Sequence, residues 1–208
     1  MRKLVIATRN KGKVKEIVSI LGDLDLDICD LGDYPGFEDP AENTDTFAGN
    51  AAVKAIMAAE HTGEMCLADD SGLVVDALGG RPGVYSSRYA GESASDEDRI
   101  RKLLEEMADV PDDNRSAHFA AAVAIAVPGR LVAVVEGKCC GAIARSPRGE
   151  NGFGYDPVFI PDGMTNTMAE IPPEVKNKIS HRARALRLAR RVIIGQICED
   201  WTVFENGE

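Results

Sequence analysis

The order in which strand-like and helix-like patterns follow one another is the feature that most limits how this chain can fold. The apolar run 4–7 precedes a helical pattern that ends at Gly22, and residues 24–31 alternate apolar and acidic side chains like a half-buried strand. Thr46 is expected to cap a second helix that runs to about Glu60. Strands that alternate with helices in this way are typical of an α/β sheet.

The second half of the sequence departs from this alternation. Residues 65–68 and 73–75 are short strand candidates on either side of Asp-Asp-Ser-Gly, and Ser95 has the spacing of a helix cap. Apolar runs on both sides of Pro-Gly-Arg at 128–130 predict an antiparallel hairpin, and a last helix is expected after Ser180. The expected fold is therefore α/β with a mixed sheet rather than a purely parallel one.

Length and charge limit the possible ligands. The 208 residues suit one large domain, 1–208, or two lobes that share one core, because the sequence contains neither an internal repeat nor a separating linker. A net charge of −10 argues against indiscriminate nucleic-acid binding, which needs many Lys and Arg side chains to neutralise phosphates. A small phosphorylated ligand needs only a local group of cations, or a metal ion that bridges it to carboxylates.

The cysteines and the apolar segments indicate a cellular compartment. The five cysteines form no Cys-x-x-Cys pair and the three histidines are scattered, so no zinc-site spacing is present. Reduced thiols in a reducing cytoplasm account for this pattern. The first apolar run is too short for a signal peptide, and no stretch approaches the roughly 20 apolar residues that cross a bilayer. We therefore expect a cytoplasmic protein that does not associate with membranes.

Polar and basic residues gather where the first strand meets the first helix. Thr8, Asn10 and Lys13 supply a hydroxyl, an amide and an ammonium beside the free N–H groups of a helix start, a combination that binds anions. Neighbouring Arg and Lys side chains add positive charge. From spacing alone, an ordinary solvated loop explains these residues equally well. The sequence has no Gly-x-x-x-x-Gly-Lys-Ser/Thr, so this is not a Walker loop.

A pair of adjacent carboxylates forms the second candidate site. Asp69 and Asp70 follow an apolar strand, which places negative charge at the carboxyl end of that strand. Oxygen ligands of this kind suit Mg²⁺, which commonly takes one or two carboxylates together with substrate phosphates. Glu38, Asp39 and Glu42 in the loop before the second helix are candidates for a further ligand. The alternative is an Asp-Ser-Gly turn between two strands, with acidic loop residues that are only solvated.

Two later segments offer further ligand contacts. In Gly-Phe-Gly-Tyr-Asp-Pro at 152–157, the glycines let the backbone approach a ligand, and Phe153 or Tyr155 can stack on a base. Lys176 and Ser-His-Arg at 180–182 place cations near the start of the last helix. Taken alone, the first segment is also explained as a buried aromatic turn, and the second as a Ser cap with surface cations.

In this order and spacing, the four segments together are highly specific. From Lys3 to about Leu186 the sequence resembles the inosine triphosphate pyrophosphatase family, whose members are also called dITP/XTP pyrophosphatases. The resemblance is carried by Thr8-x-Asn10-x-x-Lys13, Ala68-Asp69-Asp70-Ser71-Gly72-Leu73, Gly79-Gly80-x-Pro82-Gly83, Phe153-Gly154-Tyr155-Asp156-Pro157 and Lys176-x-x-x-Ser180-His181-Arg182.

The resemblance implies a nucleotide in a cleft between two lobes of an elongated mixed sheet, a homodimer, and Mg²⁺ as the cofactor. It implies that Asp70 is the proton acceptor and a ligand of the metal. The second acidic ligand is expected in the loop before the second helix, where alignment with the family favours Glu42 over Glu38. Asp69 is expected to support either the metal or the attacking water. Residues implied to bind substrate, chiefly its phosphates, are Thr8, Arg9, Asn10, Lys11, Gly12, Lys13, Ser71 and Lys176. Those implied on the base side are Phe153, Gly154, Tyr155, Asp156, His181 and Arg182.

The implied activity is hydrolysis of non-standard purine nucleoside triphosphates to the monophosphate and pyrophosphate. Two alternatives stay open. One is a nucleotide sensor without turnover, against which the paired carboxylates argue, because a triphosphate binder gains nothing from added negative charge unless a metal is present. The other is a related pyrophosphatase that acts on modified pyrimidine nucleotides.

Overall fold

A computed structural model describes the backbone of residues 2–205 and the side chains of residues 2–198. The strands are β1 (Lys3–Ile6), β2 (Asp27–Asp30), β3 (Met65–Val75), β4 (Ser116–Val127), β5 (Arg130–Ile143) and β6 (Phe159–Pro161). They form one six-stranded sheet in the order β2-β1-β3-β4-β5-β6. β1 runs parallel to β2 and β3, and the remaining neighbours are antiparallel. The predicted α/β fold with a mixed sheet is confirmed.

Most of the helices begin just after a residue whose side chain accepts a hydrogen bond from a free backbone N–H group. The helices are α1 (Lys11–Leu21), α2 (Phe47–Thr62), α3 (Asp96–Glu106), α4 (Pro173–Ile179) and α5 (His181–Glu205). The Asn10 side chain accepts hydrogen bonds from the N–H groups of Gly12 and Lys13, and Thr46 and Ser95 cap α2 and α3 in the same way. The predicted helix starts are therefore confirmed, whereas no sequence pattern predicts the short helix α4.

Apolar clusters on both faces hold the helices against the sheet. Along β1, Leu4 and Ile6 pack in one cluster with α1 and α5, whereas Val5 packs on the opposite face with α2. Ile100 and Leu103 of α3 belong to a third cluster with residues of β4, β5 and β6. Burial on both faces explains why β1 is a continuous apolar run in the sequence.

Strand β3 differs from the sequence prediction. It is continuous over 11 residues, and its segment from Asp69 to Ser71 pairs in register with the segment from Val123 to Ala121 of β4. Asp, Ser and Gly favour turns locally, but pairing with a long neighbouring strand overrides that preference. The prediction of two short strands, with the carboxylates at the end of the first, is therefore wrong.

Two other expectations concern the edge strand and membranes. β2 covers four residues instead of the predicted 24–31, because it pairs only with the four residues of β1. Within residues 2–205, no helix is long and apolar enough to cross a membrane. The division of a single domain, 1–208, into two lobes stays a prediction.

Candidate active site

Most of the sequence-selected residues meet where β1 ends and β3 continues. β1 pairs with β3 only from Leu4 to Ile6, opposite Met65 to Leu67. The chain then leaves the sheet toward α1, while β3 runs on past the end of β1. A crevice outside the carboxyl ends of strands, where neighbouring connections diverge, is the usual ligand site of an α/β sheet.

A cavity of about 170 Å³ lies at this position, and we call it the cleft. The sequence-selected residues that line it are Asn10, Lys13, Glu42, Asp70, Ser71, Phe153, Gly154, Tyr155, Asp156, Lys176, His181 and Arg182. Asp96 and Arg99 of α3 also line it, and no sequence pattern singled them out. The fold thus brings the four separate segments of the sequence into one site.

Other predicted residues lie outside the lining of the cleft. Thr8, Arg9 and Lys11 line a neighbouring groove against residues 30–37. Arg9 is held there, because its Nη2 donates to a backbone oxygen of that loop at 2.7 Å and its Nε lies 3.3 Å from an Asp39 carboxylate oxygen. Gly12 does not line the cleft but contacts a residue that does. A Cβ at this position would lie 2.7 Å from the Phe153 ring, so the glycine permits that close approach.

The two adjacent carboxylates point to opposite faces of the sheet, as successive strand residues do. Asp69 faces α1 and α5, where its Oδ2 accepts from Arg182 Nε at 3.0 Å and its Oδ1 lies 3.1 Å from Lys13 Nζ. Asp70 faces α2, where its Oδ2 accepts from Asn50 Nδ2 at 2.9 Å. Asp69 therefore pairs with two cations on the face opposite Asp70, and its support of the metal or the attacking water stays a prediction.

Their surroundings shift the two carboxyl groups in opposite directions. Burial alone would raise the pKa of Asp69, but the charges of Arg182 and Lys13 outweigh it and hold the pKa well below its usual range. Burial raises the pKa of Asp70, and the hydrogen bond from Asn50 only partly opposes this rise. The two carboxyl groups therefore differ in proton affinity, which is lower for Asp69 and higher for Asp70.

Glu16 of α1, which the sequence analysis missed, links the buried cations. One carboxylate oxygen accepts from Arg182 Nη1 at 2.6 Å, and the other lies 2.9 Å from Lys176 Nζ. Lys176 also bonds to Asp156, so the network runs from Asp156 through Lys176, Glu16 and Arg182 to Asp69. Glu16 is the one acidic residue in the α1 sequence KGKVKEIVSIL, and this isolation among lysines is the signal that could have identified it.

Glu16→Gln is expected to lower the free energy of unfolding by about 3 kcal/mol at neutral pH, because two buried cations lose their shared carboxylate. Burial opposes ionisation, but the charges of Arg182 and Lys176 outweigh it and lower the pKa of Glu16. The stability difference between the wild type and Glu16→Gln is therefore complete above the ordinary Glu pKa of about 4.3. It shrinks as the pH falls through the lowered pKa of Glu16 in the folded protein. Urea unfolding at several pH values measures it.

The matched control for this prediction is Lys15→Gln, a change at an exposed position of the same helix. It is expected to alter the free energy of unfolding by no more than about 0.5 kcal/mol. A Glu16→Gln protein as stable as the wild type at pH 7 would contradict the importance of the network.

Asp70 and Glu42 form the candidate metal site. Both line the cleft, whereas Glu38 is exposed and outside it, which favours Glu42 as the second ligand. The Glu42 carboxylate lies 2.9 Å from Lys54 Nζ and 3.4 Å from Arg88 Nη1, two residues that the sequence analysis did not select. The described residues contain no group of three or more His, Cys, Asp or Glu arranged for a metal. Two carboxylates and substrate phosphates nevertheless suit Mg²⁺.

The lining of the cleft also includes an aromatic ring and an imidazole. The Phe153 ring centroid lies 4.7 Å from Lys176 Nζ and 5.5 Å from the Arg182 guanidinium carbon. The His181 ring stacks on Phe119 at 4.7 Å, and its buried Nδ1 has no hydrogen-bond partner among the described residues. Burial, and then the neighbouring cations, lower the pKa of His181 well below its usual value, so the ring is neutral. Such a surface suits a heterocyclic base.

Comparison with known sequences places the chain in a family. Residues 4–192 match the model of the Ham1 family. A dITP/XTP pyrophosphatase of Geobacillus kaustophilus is 53% identical over 186 residues, which cover 89% of this chain and 91% of that protein. A dITP/XTP pyrophosphatase of Geobacter sulfurreducens is 51% identical over 190 residues, which cover 91% of this chain and 96% of that protein.

Solved structures agree with this assignment. A HAM1 protein from Coxiella burnetii superposes with a TM-score of 0.85 at 41% identity, covering 94% of this chain and 100% of the other. A nucleoside-triphosphatase / dITP/XTP pyrophosphatase from Mycobacterium abscessus superposes with a TM-score of 0.74 at 44% identity, covering 90% and 98%. The sequence match extends over most of the chain and the fold is shared, so this protein belongs to the Ham1 family.

Proposed function

We propose that this protein hydrolyses the non-standard purine nucleoside triphosphates ITP, dITP and XTP to the monophosphate and pyrophosphate, and so removes them from the nucleotide pool. The observation that carries the proposal is the composition of the cleft, where Asp70, a carboxyl group of raised pKa, lies together with Glu42, Lys13 and Lys176. The relatives named dITP/XTP pyrophosphatases support the choice of substrate.

In the proposed reaction, the start of α1 binds the polyphosphate. Asn10 caps this helix and Lys13 lies in its first turn, so that the helix dipole and an ammonium act on the same anion. Lys176 adds a second cation, which Glu16 and Asp156 hold in place. Catalysis of phosphoryl transfer depends mainly on such positioning and electrostatic stabilisation.

Asp70 is the proposed general base. It accepts the proton of a water that attacks the α-phosphorus, and pyrophosphate leaves. The raised pKa of Asp70 brings its proton affinity closer to that of a useful base at neutral pH, because burial disfavours the anion. Attack at the α-phosphorus, rather than the γ-phosphorus, follows from the family resemblance.

We further propose Mg²⁺ as the cofactor, with Asp70 and Glu42 as its protein ligands. When bound, the ion supplies charge neutralisation at the phosphate oxygens. Lys54 and Arg88 hold the Glu42 carboxylate at the wall of the cleft. The proposal also includes a homodimer in the cytoplasm. The exposed apolar side chains of Val53 and Met57 on α2 are compatible with a dimer interface.

A substrate panel tests the proposed function. ITP, dITP, XTP, ATP, GTP and modified pyrimidine triphosphates are incubated with the protein and Mg²⁺, and pyrophosphate and orthophosphate are both measured. We expect pyrophosphate from the first three, with kcat/KM at least about 10²-fold above that for ATP, because a site built around specific hydrogen bonds rejects a mismatched base strongly. Binding without pyrophosphate release indicates the sensor, and a preference for pyrimidines indicates the other alternative. Either result contradicts the proposal.

A further inference from the structure

The cleft encloses a small volume for the proposed substrate. Its volume is about 170 Å³, whereas pockets for small ligands usually measure roughly 300–1,000 Å³. Movement of one of its walls would widen it for a nucleoside triphosphate. Phe153, Gly154 and Asp96 line both the cleft and a groove of about 830 Å³ outside it, which we call the outer groove. These residues thus separate the cleft from the outer groove.

A hydrogen bond from a distant helix holds this boundary. The Gly154 N–H donates to Asp96 Oδ2 at 2.6 Å, across 58 residues of sequence. The other Asp96 oxygen accepts from Arg99 Nη1 at 2.5 Å, and Arg99 Nη2 donates to the Ala94 carbonyl at 2.7 Å. Asp96 is therefore fixed on α3 and ties the base-side loop to that helix.

The loop itself has the backbone freedom to move. Gly152 and Gly154 have φ values of +79° and +63°, a region in which glycine is unstrained and from which it also departs easily. A second anchor, from the Phe153 N–H to Asp156 Oδ2 at 2.9 Å, joins two residues of the same loop. The bond to Asp96 ties this loop to α3, beside the apolar cluster in which Tyr155 packs with Ile100 and Leu103 of that helix.

We propose that Asp96 is a positioning residue that clasps Gly154 and thereby closes Phe153 over the purine base. The proposal rests on the function proposed above. In the free protein the clasp holds Phe153 against Lys176 and Arg182. An entering nucleotide displaces the loop toward the outer groove, and renewed bonding between Gly154 and Asp96 presses the ring onto the base. The clasp therefore stabilises ligands that carry a base and does not act on the phosphates.

Asp96→Ala is expected to weaken the binding of ligands that carry a base and to leave the binding of phosphates alone unchanged. Loss of a charge-assisted hydrogen bond weakens binding more than loss of a neutral one, but partial exposure of Asp96 limits the effect. In Asp96→Ala we therefore expect the KM for ITP to rise about tenfold and kcat to change by less than about threefold. Inorganic tripolyphosphate, which has no base, is used as a competitive inhibitor, and its Ki is expected to change by less than about twofold. Asp96→Asn keeps an oxygen acceptor and is expected to restore most of the ITP affinity.

Asp98→Ala is the matched control. Asp98 completes the capping box of α3, so this change weakens the same helix turn without touching Gly154. Its KM for ITP is expected to equal that of the wild type. The proposal is overturned by an unchanged KM in Asp96→Ala, by an equal rise in the tripolyphosphate Ki, or by the same KM in Asp98→Ala as in Asp96→Ala.

Amide hydrogen exchange in the ligand-free protein tests the clasp without any substrate. The Gly154 N–H is expected to exchange at least about tenfold faster in Asp96→Ala than in the wild type or Asp98→Ala, because its hydrogen bond is lost. Unchanged exchange at Gly154 would overturn the clasp whatever the activity. If the wild-type protein hydrolyses no nucleotide but Gly154 exchanges as expected, the proposed function fails and the Asp96–Gly154 bond stands.

Discussion

Asp70→Asn is expected to lower kcat for ITP by about 10²–10⁴-fold, the usual contribution of a general base. The amide cannot accept the proton of the attacking water and is also a poor ligand for Mg²⁺. The loss of stability is expected to be small. Burial raises the pKa of Asp70 and thus makes its anion costly at neutral pH, so the neutral amide recovers free energy. Its new N–H group faces a donor in either orientation, from Asn50 or from the Ser71 backbone.

The control for this prediction exchanges the carboxylate and the amide between positions 70 and 50. The Asn50 Oδ1 already accepts from Thr44, so Asn50 cannot simply turn its amide to accept from residue 70. The double variant Asn50→Asp, Asp70→Asn restores the hydrogen bond between the two positions with the carboxylate on the other partner. We expect this protein to regain the stability of the wild type and to remain inactive. Near-wild-type kcat in Asp70→Asn would refute the role of Asp70.

Arg182→Ala is expected to lower the free energy of unfolding by about 3–5 kcal/mol, as breaking a buried ion pair does. Arg182 is fully buried, and its loss leaves Asp69 and Glu16 without their shared cation. Exposed Arg184 on the same helix provides the control, since Arg184→Ala is expected to cost no more than about 0.5 kcal/mol. Thermal or urea unfolding measures both.

The same variant tests whether Arg182 recognises the base of the nucleotide. The Nη1 and Nη2 groups of Arg182 each carry two hydrogens, and Glu16 and Ser71 each take one bond from them, which leaves donors for a ligand. Hypoxanthine and xanthine present a 6-oxo acceptor, whereas adenine presents a donor there. Arg182→Ala is therefore expected to narrow the ITP-to-ATP ratio of kcat/KM. The ITP-to-GTP ratio should change less, because guanine also has a 6-oxo group. An unchanged ITP-to-ATP ratio would mean that Arg182 only supports the fold.

Local chemistry explains which parts of the fold were predictable. Asn10, Thr46 and Ser95 cap helices through bonds that reach only two or three residues ahead, so the sequence alone predicts those helix starts. The strand β1 was predictable for a similar reason, because burial on both faces leaves an uninterrupted apolar run. These signals depend on neighbours in sequence and not on the rest of the fold.

Long-range pairing explains what the sequence analysis missed. The Asp-Asp-Ser-Gly segment has turn chemistry, and only its pairing with β4 makes it a strand that sends Asp69 and Asp70 to opposite faces. Glu16 has the sequence environment of a solvated helix residue, yet α4 and α5 cover it with two cations. Asp96 acts on a loop 58 residues away, a contact for which no local pattern exists.

Hydrolysis of ITP in water enriched in ¹⁸O tests the central claim most directly, because it identifies the phosphorus atom that is attacked. ³¹P NMR or mass spectrometry locates the label among the products. If water attacks the α-phosphorus, one ¹⁸O enters inosine monophosphate and the pyrophosphate stays unlabelled. Label in pyrophosphate would contradict attack at the α-phosphorus, and release of labelled orthophosphate with inosine diphosphate would contradict a nucleotide pyrophosphatase.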